Sequence, residues 1–481
     1  MRYRKNDLWK SVDWITVLFY LLMVIAGWFS ICGASYEFET TGLFDPASRP
    51  GSQLIWIGTS FGLIFVIMMM ERDFFEVFGY FFYAFVIMLL IATIFFAPNI
   101  KGSESWLVIG PVRIQSAEFA KFSTALAVAK AMNTYGFKLV TLKNFCVVLG
   151  LIFLPMICIL LQKETGSALV FFSFFLMLYR EGMSGYILLA GLSAVIFFVT
   201  GMKYAEVVVG ITSMGELLVS CLILIITMAL VYIERKDLRT VHILLGATAV
   251  SFLVAAIVSR FMPVDFALVA MGVIVLCVLY LIYLSIYHWV CHYVLIGLFA
   301  LASLGFLFSV NYVFNDILEP HQQVRIKVSL GLEDDPSGAG YNVNQSKIAI
   351  GSGGLVGKGF LNGTQTKLKY VPEQDTDFIF CTVGEEQGFL GSSAVVLLFG
   401  AFILRLIVLA ERQDSAFGRV YGYCVASVFF FHLAINVGMV TGLTPVIGIP
   451  LPFFSYGGSS LWGFTILLFI FLRQDASRKE H

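Results

Sequence analysis

The chain has 481 residues, 59% of them apolar and only 13% charged, and its 31 basic and 31 acidic residues leave no formal net charge. A soluble globular chain carries about a quarter charged residues, so this composition excludes a water-exposed fold, and no bulk charge is available to draw nucleic acid. The apolar residues come in blocks of about 17–24, the helix length that spans about 30 Å of hydrocarbon, and the alternating segments of a transmembrane β-barrel are absent.

In chain order, the first basic residues are Arg2, Arg4, Lys5 and Lys10. They precede a full-length apolar block with no small-residue cleavage pattern, which predicts a retained helix rather than a cleavable leader. About fourteen spanning helices are expected, centred near residues 22, 61, 86, 124, 152, 172, 193, 225, 250, 275, 301, 394, 430 and 463. The fourth, through Glu118, Lys121 and Lys130, is the least hydrophobic. Lys and Arg placement sets the orientation. Arg72, Lys138, Lys143, Arg180, Arg235, Lys236, Arg239, Arg412, Arg419, Arg473, Arg478 and Lys479 fall in alternate loops, which predicts that both termini are cytoplasmic.

The expected organisation is four stretches. Residues 1–184 carry about six spans. Residues 185–312 carry five spans with few charges, a structural or partner-facing region. Residues 313–377 form one long outside loop, and residues 378–481 carry about three spans and a short tail. The loop is polar, yet it contains the apolar, glycine-rich run IAIGSGGLVGKGF. Such a loop is expected to pack on the membrane face and to bind something.

Ionisable groups at membrane depth are expensive and are functional candidates by default. Asp377 stands where the outside loop enters a helix. A carboxylate there can cap the helix, but Asp375 or Thr376 can do so equally well. Glu385 and Glu386 follow two turns later, and Asp377 and Glu385 share a helical face. Glu118 and Lys121 are three residues apart, either a self-neutralising ion pair or the lining of a cavity for a charged head group. Glu164 opens an outside helix with Thr165 and Ser167, where cap chemistry and anion binding both fit. The run NVGMVTGLTPVIGIPLPFFSYGGSS holds three of the twelve prolines. Its irregular backbone survives at depth only when buried in protein or lining a wet cavity. Asn436, Ser455, Ser459 and Ser460 supply polar groups there. Eight scattered cysteines without C-x-x-C spacing read as small core residues. No metal-ligand cluster or P-loop is visible.

These segments, in this order, resemble the SEDS (shape, elongation, division and sporulation) family of peptidoglycan glycosyltransferases. The matching stretches are FAKF after Glu118, GAGYNVNQSKIAIGSGGLVGKGFLNGTQ, VPEQDTDFIF with GEEQGFLG, and the proline run. The GKGFLNGTQ segment is similar to the RodA branch more than to its division relative FtsW. The resemblance implies an all-α polytopic helical bundle of ten spans, here with about four inserted between residues 185 and 312. Three departures stand out. Gln162-Lys163-Glu164 replaces the usual Gln-Pro-Asp, Gln115-Ser116-Ala117-Glu118 replaces Gln-Pro-Ser-Glu, and Ser105 replaces an arginine before Trp106.

The resemblance further implies polymerisation of lipid II into β-1,4 glycan strands at the outer face of the bacterial cytoplasmic membrane. The implied partners are lipid II and undecaprenyl pyrophosphate, a class B penicillin-binding protein that cross-links the strands, and other elongation-complex membrane proteins. The family's essential aspartate corresponds to Asp377. The reaction would be an inverting glycosyl transfer in which Asp377 takes the proton of the acceptor hydroxyl. Lys121, and in the loop Arg325, Lys367 and Lys369, are the candidate cations for the leaving pyrophosphate. Glu118, Glu164, Glu385, Glu386 and Ser455 complete the expected substrate-binding set. A divalent cation can share the work with these cations, but the sequence shows no dedicated site for one. The rival expectation is a lipid II flippase or another polytopic lipid transporter, which broken helices and intramembrane charges also suit.

Overall fold

A chain segment in lipid must satisfy its own backbone groups, so each long apolar block folds as a helix. The computed structural model describes residues 8–35, 42, 44–98, 103–110, 112–205, 207–312, 314, 323–324, 327, 332 and 339–478. Among these, eleven helices are long and apolar enough to cross a membrane. Helices also stand at the three other expected centres, but they are shorter or more polar.

The first part of the chain contains α1 (Leu8–Ser11), α2 (Trp14–Ser35), α3 (Arg49–Met69), α4 (Arg72–Val77), α5 (Gly79–Phe96), α6 (Ser116–Met132), α7 (Leu142–Leu161), α8 (Thr165–Leu169) and α9 (Phe174–Arg180). A two-stranded antiparallel hairpin, β1 (Trp106–Ile109) with β2 (Val112–Gln115), precedes α6. The expected spans did not include this hairpin. Its signal is present in the sequence as two short runs of β-branched residues around Gly110-Pro111.

The chain divides into two compact units. Residues 184–336 form one, with α10 (Gly185–Lys203), α11 (Met214–Arg235), α12 (Leu238–Val258), α13 (Phe266–His288), α14 (Cys291–Tyr312) and a minimal hairpin of β3 (Val208–Val209) and β4 (Thr212–Ser213). Its core includes Phe197, Ile223, Ile274, Leu281 and Ile296. Asp237 caps α12 and Asp265 caps α13 through their carboxylates.

Residues 1–183 and 337–481 form the other unit. The second segment adds α15 (Ala339–Ser352), α16 (Thr364–Lys367), α17 (Ile379–Glu411), α18 (Ala416–Thr441) and α19 (Gly458–Ser477). Residues 339–377 of the long loop therefore belong to this unit. Inside it, Phe429 packs edge-on against Phe402 with ring centroids 5.1 Å apart, and lies 5.4 Å from Phe453 and 5.6 Å from Phe464. Phe453 adopts a left-handed backbone (φ 65°), which turns its ring into this cluster. Gly27 of α2 leaves room for the Phe453 carbonyl, which a Cβ there would strike.

Helix α17 is broken at Gly388 (φ 67°, ψ −161°). The glycine-rich loop fills the break. Phe389 and Leu390 donate backbone N–H groups to Gly354 and Leu355, at 2.9 and 3.0 Å. Lys358 and Gly359 donate theirs to Glu385 and Glu386, at 3.0 and 2.9 Å. A Cβ on Gly353 or Gly357 would collide with the carbonyls of Gly384 or Glu386. Backbone lying against backbone is thus the physical reason for the GSGGLVGKG composition.

At the opposite end of this unit, Asp13 accepts from Arg405 and Thr16, and Arg412 forms a two-pronged pair with Asp475. Burial favours the protonated form of Asp13, but the bonds from Arg405 and Thr16 outweigh it and hold this carboxyl below the usual range. The Asp475 side chain is 0% exposed. Removing its cation leaves a buried charge uncompensated, at about 3 kcal/mol. Arg412→Ala is therefore expected to lower the melting temperature in detergent, and adding Asp475→Asn to recover part of that loss. Equal melting of the single and double variants would show that the pair is not a support of the fold.

Candidate active site

Three segments meet at the end of the unit away from that network. Residues 375–378 lead into α17, residues 445–457 connect α18 to α19, and residues 164–167 open α8. Polar side chains tie the first two together. Asn436 of α18 donates both amide hydrogens, to the carbonyl of Asp377 at 2.8 Å and to that of Ile449 at 2.7 Å. Ser455 donates to the carbonyl of Thr376 at 2.6 Å and accepts from the N–H of Leu451 at 2.8 Å. The N–H of Tyr456 donates to the Asp375 carbonyl at 2.8 Å. The proline segment is thus an ordered strap whose backbone groups are answered by buried side chains.

Asp377 is half-buried on this strap's edge. Gly448, at φ 75°, faces it, and a Cβ there would stand 3.1 Å from Asp377 Oδ2. On the other side of the strap, Gly166 of α8 is so close that its Cβ would lie 2.5 Å from the Ile447 carbonyl. Both glycines are required by close approach.

Glu118 and Lys121 form a 2.7 Å ion pair in the first turns of α6, each 2% exposed. Lys121 also bonds His432 at 3.2 Å and lies 4.2 Å over the Phe464 ring. Its ammonium is therefore surrounded by protein rather than open to a head group. Glu164 accepts from Ser167 at 2.8 Å and from Gln115 and Ser105. Burial pushes its carboxyl above the ordinary carboxylate range, those bonds oppose the rise, and the charge of Glu118 adds to it. Ser105, which stands where the resemblance leads one to expect arginine, thus serves Glu164 as a neutral donor.

The expected partners of Asp377 on α17 face elsewhere. Glu385 is fully buried and accepts from Lys358 at 2.7 Å, from the N–H groups of Gln365 and Thr366 at 2.9 and 2.8 Å, and from the Thr366 hydroxyl. Glu386 accepts from the N–H of Leu361 at 3.1 Å, and a Cβ on Gly33 of α2 would come within 2.5 Å of its carboxylate. Both carboxylates fasten the chain's own loop.

Outside these anchors, a cleft of about 420 Å³ lies between the end of α2, the start of α3 and the loop before Asp377. Arg49, Lys369, Glu373 and Asp375 line it, and Arg49 pairs with Asp375. Lys367 sits in the last turn of α16. Arg325 lies outside the described residues. Residues that could hold a metal do not cluster among the described ones. Sequence reasoning missed Arg49 as a site group and missed His432 altogether. The signal for His432 was its spacing, one helical turn before Asn436 in the otherwise apolar run from Val428 to Val440.

The family model described as a cell cycle protein, FtsW/RodA/SpoVE, matches residues 13–214 and 213–480. The peptidoglycan glycosyltransferase RodA of Treponema pallidum (strain Nichols) is 29% identical over 410 residues, covering 85% of this chain and 86% of that one. The peptidoglycan glycosyltransferase MrdB of Escherichia coli (strain K12) is 30% identical over 379 residues, covering 79% and 72%. Among solved structures, a chain of a peptidoglycan synthase complex aligns with a TM-score of 0.60 at 23% identity, covering 97% of this chain and 98% of that one. RodA of Thermus thermophilus aligns at 0.52 and 19%, covering 97% of each. With both stretches of the family model together spanning nearly its whole length, the chain belongs to the FtsW/RodA/SpoVE family.

Proposed function

We propose that this chain is a RodA-like peptidoglycan glycosyltransferase that polymerises lipid II at the outer face of the bacterial cytoplasmic membrane. It crosses that membrane fourteen times with both termini cytoplasmic, and it works beside a class B penicillin-binding protein. The observation that carries the reading is Asp377, a half-buried carboxylate on the segment before α17 that Asn436 of α18 and Ser455 of the strap hold in place. The structural relative from a synthase complex supports the partner.

The 4-hydroxyl of the acceptor GlcNAc is a poor nucleophile until a base takes its proton. Asp377 does so as the oxygen attacks C1 of the donor MurNAc and the bond to undecaprenyl pyrophosphate breaks, with inversion. Negative charge develops on the leaving pyrophosphate, and cations near it stabilise the transition state. Arg49 and Lys369 on the cleft, and Lys367 two residues before Lys369, are the candidates for that role. Lys121 is too enclosed to meet the head group directly, and it acts by supporting the strap. Glu385 and Glu386 act by holding the loop against α17. Glu164 and Ser455 belong to the same outer polar shell. The exposed apolar surfaces of the helices leave the prenyl tails in lipid while the sugars react at the rim.

Asp377→Asn removes the base and keeps the size of the side chain. It is expected to cut glycan polymerisation by the full chain with its partner and lipid II by about 100-fold or more, with melting unchanged. Polymer of normal length and amount from this variant would remove Asp377 from the mechanism. Head-group translocation in vesicles with no polymer from the unaltered chain would replace the enzyme reading with a flippase. Lys121→Met alone leaves Glu118 charged and buried, and a fall in melting temperature is expected from a loss of about 3–5 kcal/mol. The double variant Glu118→Gln/Lys121→Met is expected to regain most of that stability but little polymerisation. Full activity in the double variant would reduce the pair to a structural one.

A further inference from the structure

The Glu118–Lys121 pair and the strap behind Asp377 are joined by one buried side chain that the reaction itself does not require. His432 of α18 is 1% exposed. Its Nε2 lies 3.2 Å from Lys121 Nζ and its Nδ1 lies 3.0 Å from the Pro450 carbonyl oxygen. A carbonyl oxygen only accepts and an ammonium only donates. The ring must therefore carry its proton on Nδ1, donate to Pro450, and accept from Lys121 through Nε2. One helical turn on, Asn436 holds the preceding carbonyl, that of Ile449, and the carbonyl of Asp377 itself.

We propose that His432 is a positioning residue for the transfer reaction, a fixed-tautomer link that transmits the placement of the Glu118–Lys121 pair to the strap facing Asp377. The hydrogen-bond string runs Glu118, Lys121, His432, Pro450, and two residues before Pro450 the backbone of Gly448 forms the wall beside Asp377 Oδ2. Phe464 closes the link. It meets the His432 ring edge-on at 4.8 Å and takes the Lys121 ammonium on its face, so neither group has room to swing away. A shift of Pro450 by a fraction of an ångström moves the wall against which the base is set, and misplacement on that scale lowers turnover more than binding.

The proposal rests on the glycosyltransferase reading, and its test separates the two. A glutamine side chain has one acceptor and two donors and can replace both bonds of the ring, whereas leucine fills the space and replaces neither. In the full chain with its partner and lipid II, His432→Leu is expected to lower kcat about tenfold or more with KM within about twofold. His432→Gln should stay within about threefold of the unaltered chain. Equal loss in both variants, or a loss confined to KM, overturns the link, and so does near-normal turnover in His432→Leu. Should His432→Leu fail to fold, nitrogen NMR of the unaltered chain with labelled histidine decides the matter. The His432 signal, identified among six histidines by its absence in His432→Gln, should show a protonated Nδ1 and a bare Nε2 that shifts in Lys121→Met. A proton on Nε2 overturns the wiring. No polymer from the unaltered chain overturns the enzyme reading instead, and the nitrogen spectrum then tests the wiring by itself.

Discussion

Everything at the Asp377 end of this unit depends on how a backbone that is neither helix nor strand satisfies its polar groups. Residues 445–457 contain three prolines, which remove donors, and two glycines at positive φ, which remove side chains. The segment survives because its carbonyls and amides are met individually, by His432 and Asn436 from α18 and by Ser455 from within. An unanswered buried carbonyl costs about as much as a lost hydrogen bond, so these side chains set where the strap can lie. Asp377 inherits its position from that arrangement, because its own carbonyl is one of the groups Asn436 holds.

The same constraint explains the glycine-rich loop. Breaking α17 at Gly388 frees amides and carbonyls that a continuous helix would pair internally. The loop from Gly353 to Gly359 supplies partners for them, and the lack of side chains lets it come near enough to do so. Glu385 then fastens the next stretch of loop through Lys358, Gln365 and Thr366. A carboxylate that looks like a site group from its spacing is in this way a fastening for the wall of the site.

Buried charge at the two ends of this unit does different work. At one end, Asp13, Arg405, Arg412 and Asp475 tie helix termini together. At the other, the Glu118–Lys121 pair is enclosed and is extended by a histidine to the strap. Replacing a buried pair with apolar residues is often neutral for stability, so retaining one here is better explained by the geometry it fixes than by the energy it adds.

Much of this was legible in the residues. Apolar block lengths dictated the helices, because lipid leaves a backbone no alternative, and clustered proline and glycine marked the broken segment. The short hairpin before α6 was legible too, in its β-branched runs, yet the helical pattern around it hid the signal. The resemblance carried by the DTD, GEEQGFLG and proline-run motifs singled out Asp377. What spacing could not settle was which way each charged side chain turns. Glu385 reads as sharing a helical face and a cavity with Asp377, yet the helix starts only at Ile379 and the loop lying against it takes up the Glu385 carboxylate. Lys121 reads as a cation for a ligand, yet Glu118, His432 and Phe464 enclose it. His432 is one of six histidines, and only packing sets it between the Pro450 carbonyl and the ammonium of Lys121, 311 residues away in sequence. Local pattern follows from the period of the chain, whereas partners distant in sequence are chosen only when the helices close on one another.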